Sequence, residues 1–393
     1  MIDECREPLF RVDLAAIAAN TRRLSARTTA GVMAVVKADG FGHGTVQIAR
    51  TALDHGAAQL GVTTVTEALE LRRAALSAPI LSWLNAPDTD FAPAIAAGVD
   101  LAVPGVEHLR AVEAGSLAAR RRARIHLHAD TGMARDGAAA GTWPELCRLA
   151  ARLESVNIVD VVGVMGHLSC ADNPTDVHNG AGREAFDRAV RTAHLAGLRP
   201  RRRHLAATAA LLGDPRTHHD LVRVGAGLYG IDPTGRAGLR YAAKLTAPVA
   251  TVREVPAGTP VGYGHTWTTN RRTRLALIPL GYADGLPRAA SGLAQVQLRG
   301  RRCPLVGVFS MDQIVVDVGE EGVAPGEVAT LFGPGDEGEP TVEEWARWAG
   351  TLPHELLTSV GSARRITRRH LPAPATTPTS AGTRTASTLE TFI

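Results

Sequence analysis

In a chain of 393 residues with 43 basic side chains, lysine occurs at positions 37 and 244 and every other cation is arginine. Lys37 lies in AVVKADGFGHG, at the end of an apolar run and just ahead of a glycine-rich turn. An arginine could supply positive charge there equally well. It could not attack an aldehyde, because guanidinium lone pairs are delocalised and its pKa is above about 12. A primary amine condenses with an aldehyde to give a Schiff base. Lysine at position 37 therefore points to covalent amine chemistry, whereas Lys244, which begins a later strand-like run, reads as a solvated cation.

Four further polar groups share the setting of Lys37. Arg135 lies in HADTGMARDG, His167 in GVMGHLSCAD, Thr208 in RRHLAATAA and Arg223 in DLVRVGAGLYGIDP. Each follows or closes a short run of β-branched and apolar residues. Eight such runs occur between Gly31 and Gly230: VMAVVK, QLGVTT, APILSW, DLAV, RIHLHAD, VVGVMGH, RRHLAAT and DLVRVG. Between them stand stretches such as VQIARTALDHG, TEALELRRAAL and REAFDRAVRTAHLAG, with apolar residues at helical spacing. Strand–helix alternation with short connections predicts an α/β fold, a closed parallel (β/α)8 TIM-type barrel. In such barrels the active site lies at the C-terminal ends of the strands. Lys37, Arg135, His167, Thr208 and Arg223 would then meet at one mouth.

After about Gly238 the pattern changes. KLTAPVATVREV, TRLALIPLGYADG, AQVQLRGRRCPLVGVF, QIVVDVG and EVATLFG are strand-like runs separated by Gly and Pro turns, with helical spacing only near EEWARWAG. These predict a mostly β C-terminal domain over 239–371, following a barrel over 10–238. FRVDL near the N-terminus has no barrel slot and is expected beside the β domain. Residues 372–393, rich in Pro, Thr, Ser and Ala, read as a disordered tail.

Composition narrows the function class. A hydrophobic content of 45% supports a sizeable core. No long uncharged apolar run is present, and the N-terminus is charged where a signal peptide would be apolar, so a cytoplasmic protein without a membrane span is expected. Cys5, Cys147, Cys170 and Cys303 show no CxxC spacing. The net charge is +4, but the arginine clusters lack interleaved aromatics, and an aromatic content of 4% suits base stacking poorly. No nucleic-acid partner is expected.

An aldehyde cofactor bearing a phosphate would use the whole mouth. Gly225-Ala226-Gly227 can bring backbone N–H groups close to a phosphate, Thr208 can add a hydroxyl, and barrels often bind phosphate after strands seven and eight. Pyridoxal 5'-phosphate meets these requirements. His126 and His128 offer another reading: alternation puts both imidazoles on one strand face, as a metal-dependent barrel hydrolase would need. A barrel that stores the cofactor without catalysis is a third; neither has a use for a second domain carrying VGYGHTW.

VVKADGFGHG, HADTGMARDG, GVMGHLSCAD, DLVRVGAGLYGIDP, VGYGHTWT, GYADGLPR and SMDQIVVDVG together resemble, in order, the successive motifs of the alanine racemase family. The likeness runs from about Phe10 to His370. It implies a fold-type III pyridoxal-phosphate enzyme, a homodimer with shared active sites, acting on a small amino acid. Alanine is the first expectation and another amino acid, such as serine, the alternative. Lys37 would hold the cofactor and serve as one base, with Tyr263 from the other subunit as the opposing base. Arg223 would donate to the pyridine nitrogen, and His167 would link Arg223 towards Tyr263. Arg135 would contact the phenolic oxygen and the substrate carboxylate, which the backbone N–H of Met311 would also bind. Thr208, Gly225 and Ala226 would hold the phosphate, and Tyr282 and Asp172 would line the entrance. No metal is implied. The chain departs from the family pattern at Phe41 and His370, in place of phosphate-bonding tyrosines. His128 replaces a lysine that is often carbamylated, Ala207 the Asn of an Asn-Ser pair, and Val308 an entrance arginine.

Overall fold

The computed structural model describes residues 7–373 except positions 236 and 321. The expected tail therefore lies outside the described residues from position 374 onward. The eight expected barrel strands are present: Gly31–Val35, Gln59–Val62, Ile80–Ser82, Asp100–Val103, Ala123–His128, Val159–Met165, Arg202–His204 and Leu221–Val224. They run parallel, each beside its neighbour in sequence, and the eighth lies against the first with Arg223 opposite Met33. The seam between strands seven and eight is bridged by separate bonds. Asp220 N–H donates to Arg203 O (3.1 Å) and Arg223 N–H to Ala206 O (3.0 Å). The sheet is thus a nearly closed barrel.

Strand alternation decides what enters the barrel. Met33, Leu81, Ala102, Met165 and Leu221 form an interior cluster, while the opposite faces join the larger core under the helices. By the same two-residue step, Arg223 follows Leu221 on the interior face, and Lys37 begins the turn just past the end of the first strand.

Directly after the first strand, Ala38, Asp39, Gly40 and Phe41 all adopt left-handed backbone angles (φ 53, 52, 60 and 53°). Non-glycine residues resist this conformation by about 1–2 kcal/mol each, so the turn needs outside support. Glu67 Oε1 accepts the Ala38 N–H at 2.7 Å, Asp39 Oδ1 accepts the Thr45 N–H at 3.1 Å, and Gly42 N–H reaches Ala38 O at 3.0 Å. Glu67 itself closes a capping box with Thr64 at the start of helix Val65–Arg73. The helix N-terminus and the lysine-bearing turn are built as one unit.

The second domain centres on a nine-stranded sheet in the spatial order Thr251–Val255, Thr273–Ile278, Ile314–Gly319, Arg301–Val306, Gln295–Leu298, Val328–Phe332, Ala243–Pro248, Leu9–Asp13, Thr367–Leu371. Leu9–Asp13 pairs antiparallel with Ala243–Pro248 and parallel with Thr367–Leu371. Helix Pro353–Gly361 leaves this domain to pack on the lysine-bearing turn. The approach is backbone to backbone: a Cβ on Gly42 would lie 2.5 Å from Leu357 O, and one on Gly361 2.3 Å from Gly42 O. Only glycine at both positions permits it. Among the described residues, no helix is long and apolar enough to cross a membrane.

Candidate active site

A cavity of about 860 Å³ opens at the C-terminal end of the barrel, lined by Lys37, Arg135, His167, Asp172, Thr208, Arg223, Gly225 and Ala226, together with Phe41, Trp83, His128 and Ala207. The five polar groups expected at one mouth are therefore brought together. Helix Pro353–Gly361 adds His354, Glu355 and Thr358.

Lys37 is half-buried. Burial, and then the Arg135 charge, push its amine pKa down, and Glu67 partly opposes them. More of the neutral, nucleophilic amine is thereby present near neutral pH. Arg223 is 5% exposed and, among the described residues, is bonded to no carboxylate. It donates from Nη2 to Gly166 O (2.7 Å), Leu205 O (3.1 Å) and His167 Nδ1 (3.1 Å), and from Nη1 to His204 O (2.8 Å) and His204 Nδ1 (3.0 Å). Burial and then Arg135 lower its pKa to about 10, so it remains a cation at neutral pH. The His167 pKa is lowered to about 3, by burial first and then by Arg223. His167 is neutral, accepts at Nδ1, and so carries its proton on Nε2.

The far wall is shaped for a group that needs backbone proximity. A Cβ on Gly225 would stand 3.2 Å from Phe41 Cζ and 3.5 Å from Val35 Cβ. Thr208, 4% exposed, accepts the Gly227 N–H at 3.2 Å and ties this turn to the end of the seventh strand. Phe41 stacks on Tyr229 with centroids 4.5 Å apart. His128 Nδ1 lies 3.4 Å from Asp136 Oδ2, beside Arg135.

Three expected site residues are elsewhere. Tyr263, Tyr282 and Met311 lie on the second domain, 73%, 41% and 54% exposed. They share one surface region: Tyr282 N–H donates to Ser310 O, Ala283 N–H to Met311 O, and the Gly262 turn approaches Val308.

Two sequence expectations need correction. His370 does not reach the cavity: strand pairing with Leu9–Asp13 holds it at the sheet edge, where Nε2 bonds His43 O at 2.6 Å. The second-domain imidazole that does reach the cavity is His354, whose buried Nδ1 has no hydrogen-bond partner among the described residues. Nothing in LPHELL marks it, because the glycine contact with a turn more than 300 residues earlier places it there. Nor can His126 and His128 act as a ligand pair. His126 has both nitrogens engaged inside the barrel, Nδ1 with His204 and Nε2 with Asp100, whereas His128 faces the cavity one layer above.

Residues 12–233 match the sequence profile of the alanine racemase N-terminal domain, and residues 242–370 that of its C-terminal domain. The chain belongs to the alanine racemase family. It is 49% identical over 357 residues to an alanine racemase of Salinispora tropica, covering 90% of this chain and 96% of that one. The alanine racemase of D-cycloserine-producing Streptomyces lavendulae superposes with a TM-score of 0.92 at 40% identity, over 95% of this chain and 99% of the other. A Bartonella henselae alanine racemase solved with covalently bound pyridoxal phosphate superposes with a TM-score of 0.84 at 27% identity, over 93% of this chain and 100% of the other. Alanine racemases are pyridoxal-phosphate-dependent enzymes, and the expected barrel with its β domain is the alanine racemase fold.

Proposed function

We propose that this protein interconverts L- and D-alanine with pyridoxal 5'-phosphate held through Lys37, as a homodimer whose subunits share each site. The observation that carries this reading is the half-buried Lys37, its amine pKa depressed, in one cavity with the glycine turn at Gly225. The residues suit the cofactor: space at Gly225 that a Cβ would fill, the Thr208 hydroxyl, and an unpartnered His354 nitrogen. Gly225, Ala226 and Thr208 would hold the phosphate with help from His354, and Arg223 would face the ring nitrogen. Bound pyridoxal phosphate supplies the electron withdrawal that acidifies the substrate's α-hydrogen.

The chain supplies the proton handling. Racemisation needs a base on each face of the α-carbon, since one group cannot easily serve both. Lys37 would serve one face. Tyr263 would serve the other from the partner subunit, because on its own chain it is exposed and outside the cavity. Met311 and Tyr282 would arrive with it, the first offering its N–H to the substrate carboxylate and the second forming the entrance with Asp172. Arg135 would bind the same carboxylate, with the His128–Asp136 pair beside it. Arg223, a cation with no carboxylate in contact, would leave the ring nitrogen unprotonated, which limits electron withdrawal and disfavours transamination.

Incubation of the purified protein with each L-amino acid, followed by separation of enantiomers, tests the reaction. Alanine should racemise fastest. Borohydride should bleach the yellow protein and fix cofactor mass to the Lys37 peptide. Stoichiometric zinc without a pyridoxal band would overturn the reading.

A further inference from the structure

Below Arg223, the barrel interior contains a line of polar groups, His204, His126 and Asp100, that binding and proton transfer at the mouth do not use. Arg223 Nη1 bonds His204 Nδ1 (3.0 Å), His204 Nε2 bonds His126 Nδ1 (2.8 Å), and His126 Nε2 lies 3.4 Å from Asp100 Oδ2. Asp100 is in turn gripped by Arg124 at 2.6 and 3.1 Å. Both imidazoles are fully buried and Asp100 is 2% exposed. The line runs from the mouth to the barrel floor.

Its polarity follows from donor counting. A guanidinium has no acceptor, so His204 Nδ1 must present a lone pair and its proton sits on Nε2. That proton is donated to His126 Nδ1, which leaves the His126 proton on Nε2, directed at Asp100. Every bond points from the cation at the mouth to the anion at the floor. Hydrogen bonds aligned in a low-dielectric interior polarise one another.

We propose that Asp100 is a positioning residue for Arg223, acting through His126 and His204. The carboxylate fixes both tautomers, and so presents to Arg223 an acceptor more electron-rich than a lone imidazole. The guanidinium is thereby held in one orientation and kept charged without a carboxylate beside the cofactor. A carboxylate in direct contact would invite protonation of the ring nitrogen; two imidazoles transmit its charge without its proton. This rests on the reading of Arg223 as partner of the ring nitrogen.

Other charges act on the line. Arg135 and His167 face Arg223, His128 and Arg202 act on His204, and Arg72 and Arg124 face Asp100. Arg124 also approaches Asp160 at 3.6 Å, so its removal disturbs the floor ion pairs without deleting any member of the imidazole line.

Asp100→Asn keeps the shape and removes the charge, and Arg124→Met is the control for the ion pair alone. In Asp100→Asn, kcat for alanine should fall about tenfold, and the Nε2 protons of His126 and His204 should exchange with solvent faster than in the wild type. Arg124→Met should leave both near their wild-type values. Selective 15N-histidine NMR of the wild-type protein without cofactor should show slowly exchanging Nε2 protons on both His126 and His204. Wild-type kcat and exchange in Asp100→Asn, equal changes in both variants, or a proton on His204 Nδ1 would each overturn the proposal. Arg223→Met separates the two readings. If it racemises normally, the role given to Arg223 is wrong; if it is impaired while Asp100→Asn behaves as wild type, only the line fails.

Discussion

The ring of His354 stands 5.8 Å, centroid to centroid, from that of Phe41, so the second domain and the barrel share one wall of the cavity. Phe41 points its Cζ at the Gly225 turn. A phenolic oxygen would be attached to that carbon, so Phe41→Tyr should place a donor where the phosphate is expected. A hydrogen bond to a charged group contributes about 1.5–3 kcal/mol, so pyridoxal phosphate should bind at least about tenfold more tightly. Titrating apoprotein with the cofactor, wild type beside variant, measures this. Equal affinities would show that the Phe41 edge does not face the phosphate.

Three histidines that the fold holds neutral make it acid-sensitive. Burial, the largest cause in each, lowers the His43 pKa to about 4, that of His167 to about 3 and that of His204 well below its ordinary value. Unfolded, each titrates near 6.5, so below that pH the unfolded chain binds more protons than the folded one. The stability they contribute is complete above about pH 6.5 and is lost as the pH falls towards 4, by up to about 1.4 kcal/mol per pH unit each for His43 and His167. The Asp100 and Asp136 carboxyls, held below the usual carboxylate range, act only at lower pH. Urea midpoints of apoprotein between pH 7.5 and 4.5 should therefore fall steeply. A flat profile would refute the assignment.

Tyr263 and Lys37 should complement each other between chains. Lys37→Ala and Tyr263→Phe homodimers are each expected to be strongly impaired, whereas mixed dimers should regain roughly one working site of two. Each variant should also keep α-hydrogen exchange with deuterated solvent longer from one enantiomer than from the other. Mixed dimers as inactive as the parents would mean that both residues come from one chain.

Glu67 supports the lysine-bearing turn through Ala38 and caps a helix through Thr63 and Thr64. Glu67→Ala should lower stability by about 0.5–2 kcal/mol, the range for a lost helix cap, and speed hydrogen exchange of the Ala38 amide. Glu67→Gln should recover most of the stability. If Ala38 exchange stays slow in Glu67→Ala, the turn is held by its other bonds.

Much of this protein was legible in its order of residues. Period-two and helical runs marked all eight barrel strands because each buries its own local apolar pattern, and strand ends then placed Lys37, Arg135, His167, Thr208 and Arg223 around one mouth. The choice of lysine at position 37 was chemical and needed no coordinates. Other features depended on contacts between distant segments, which periodicity does not record. His354 enters the cavity because Gly42 and Gly361 allow two backbones to touch, while His370 is held away by strand pairing. His126 looked like a metal ligand in HxH, yet the barrel interior sets it against His204 and Asp100, 78 and 26 residues distant. Local sequence determines which face a side chain takes; only the assembled barrel and the domain docked on it decide what that face meets.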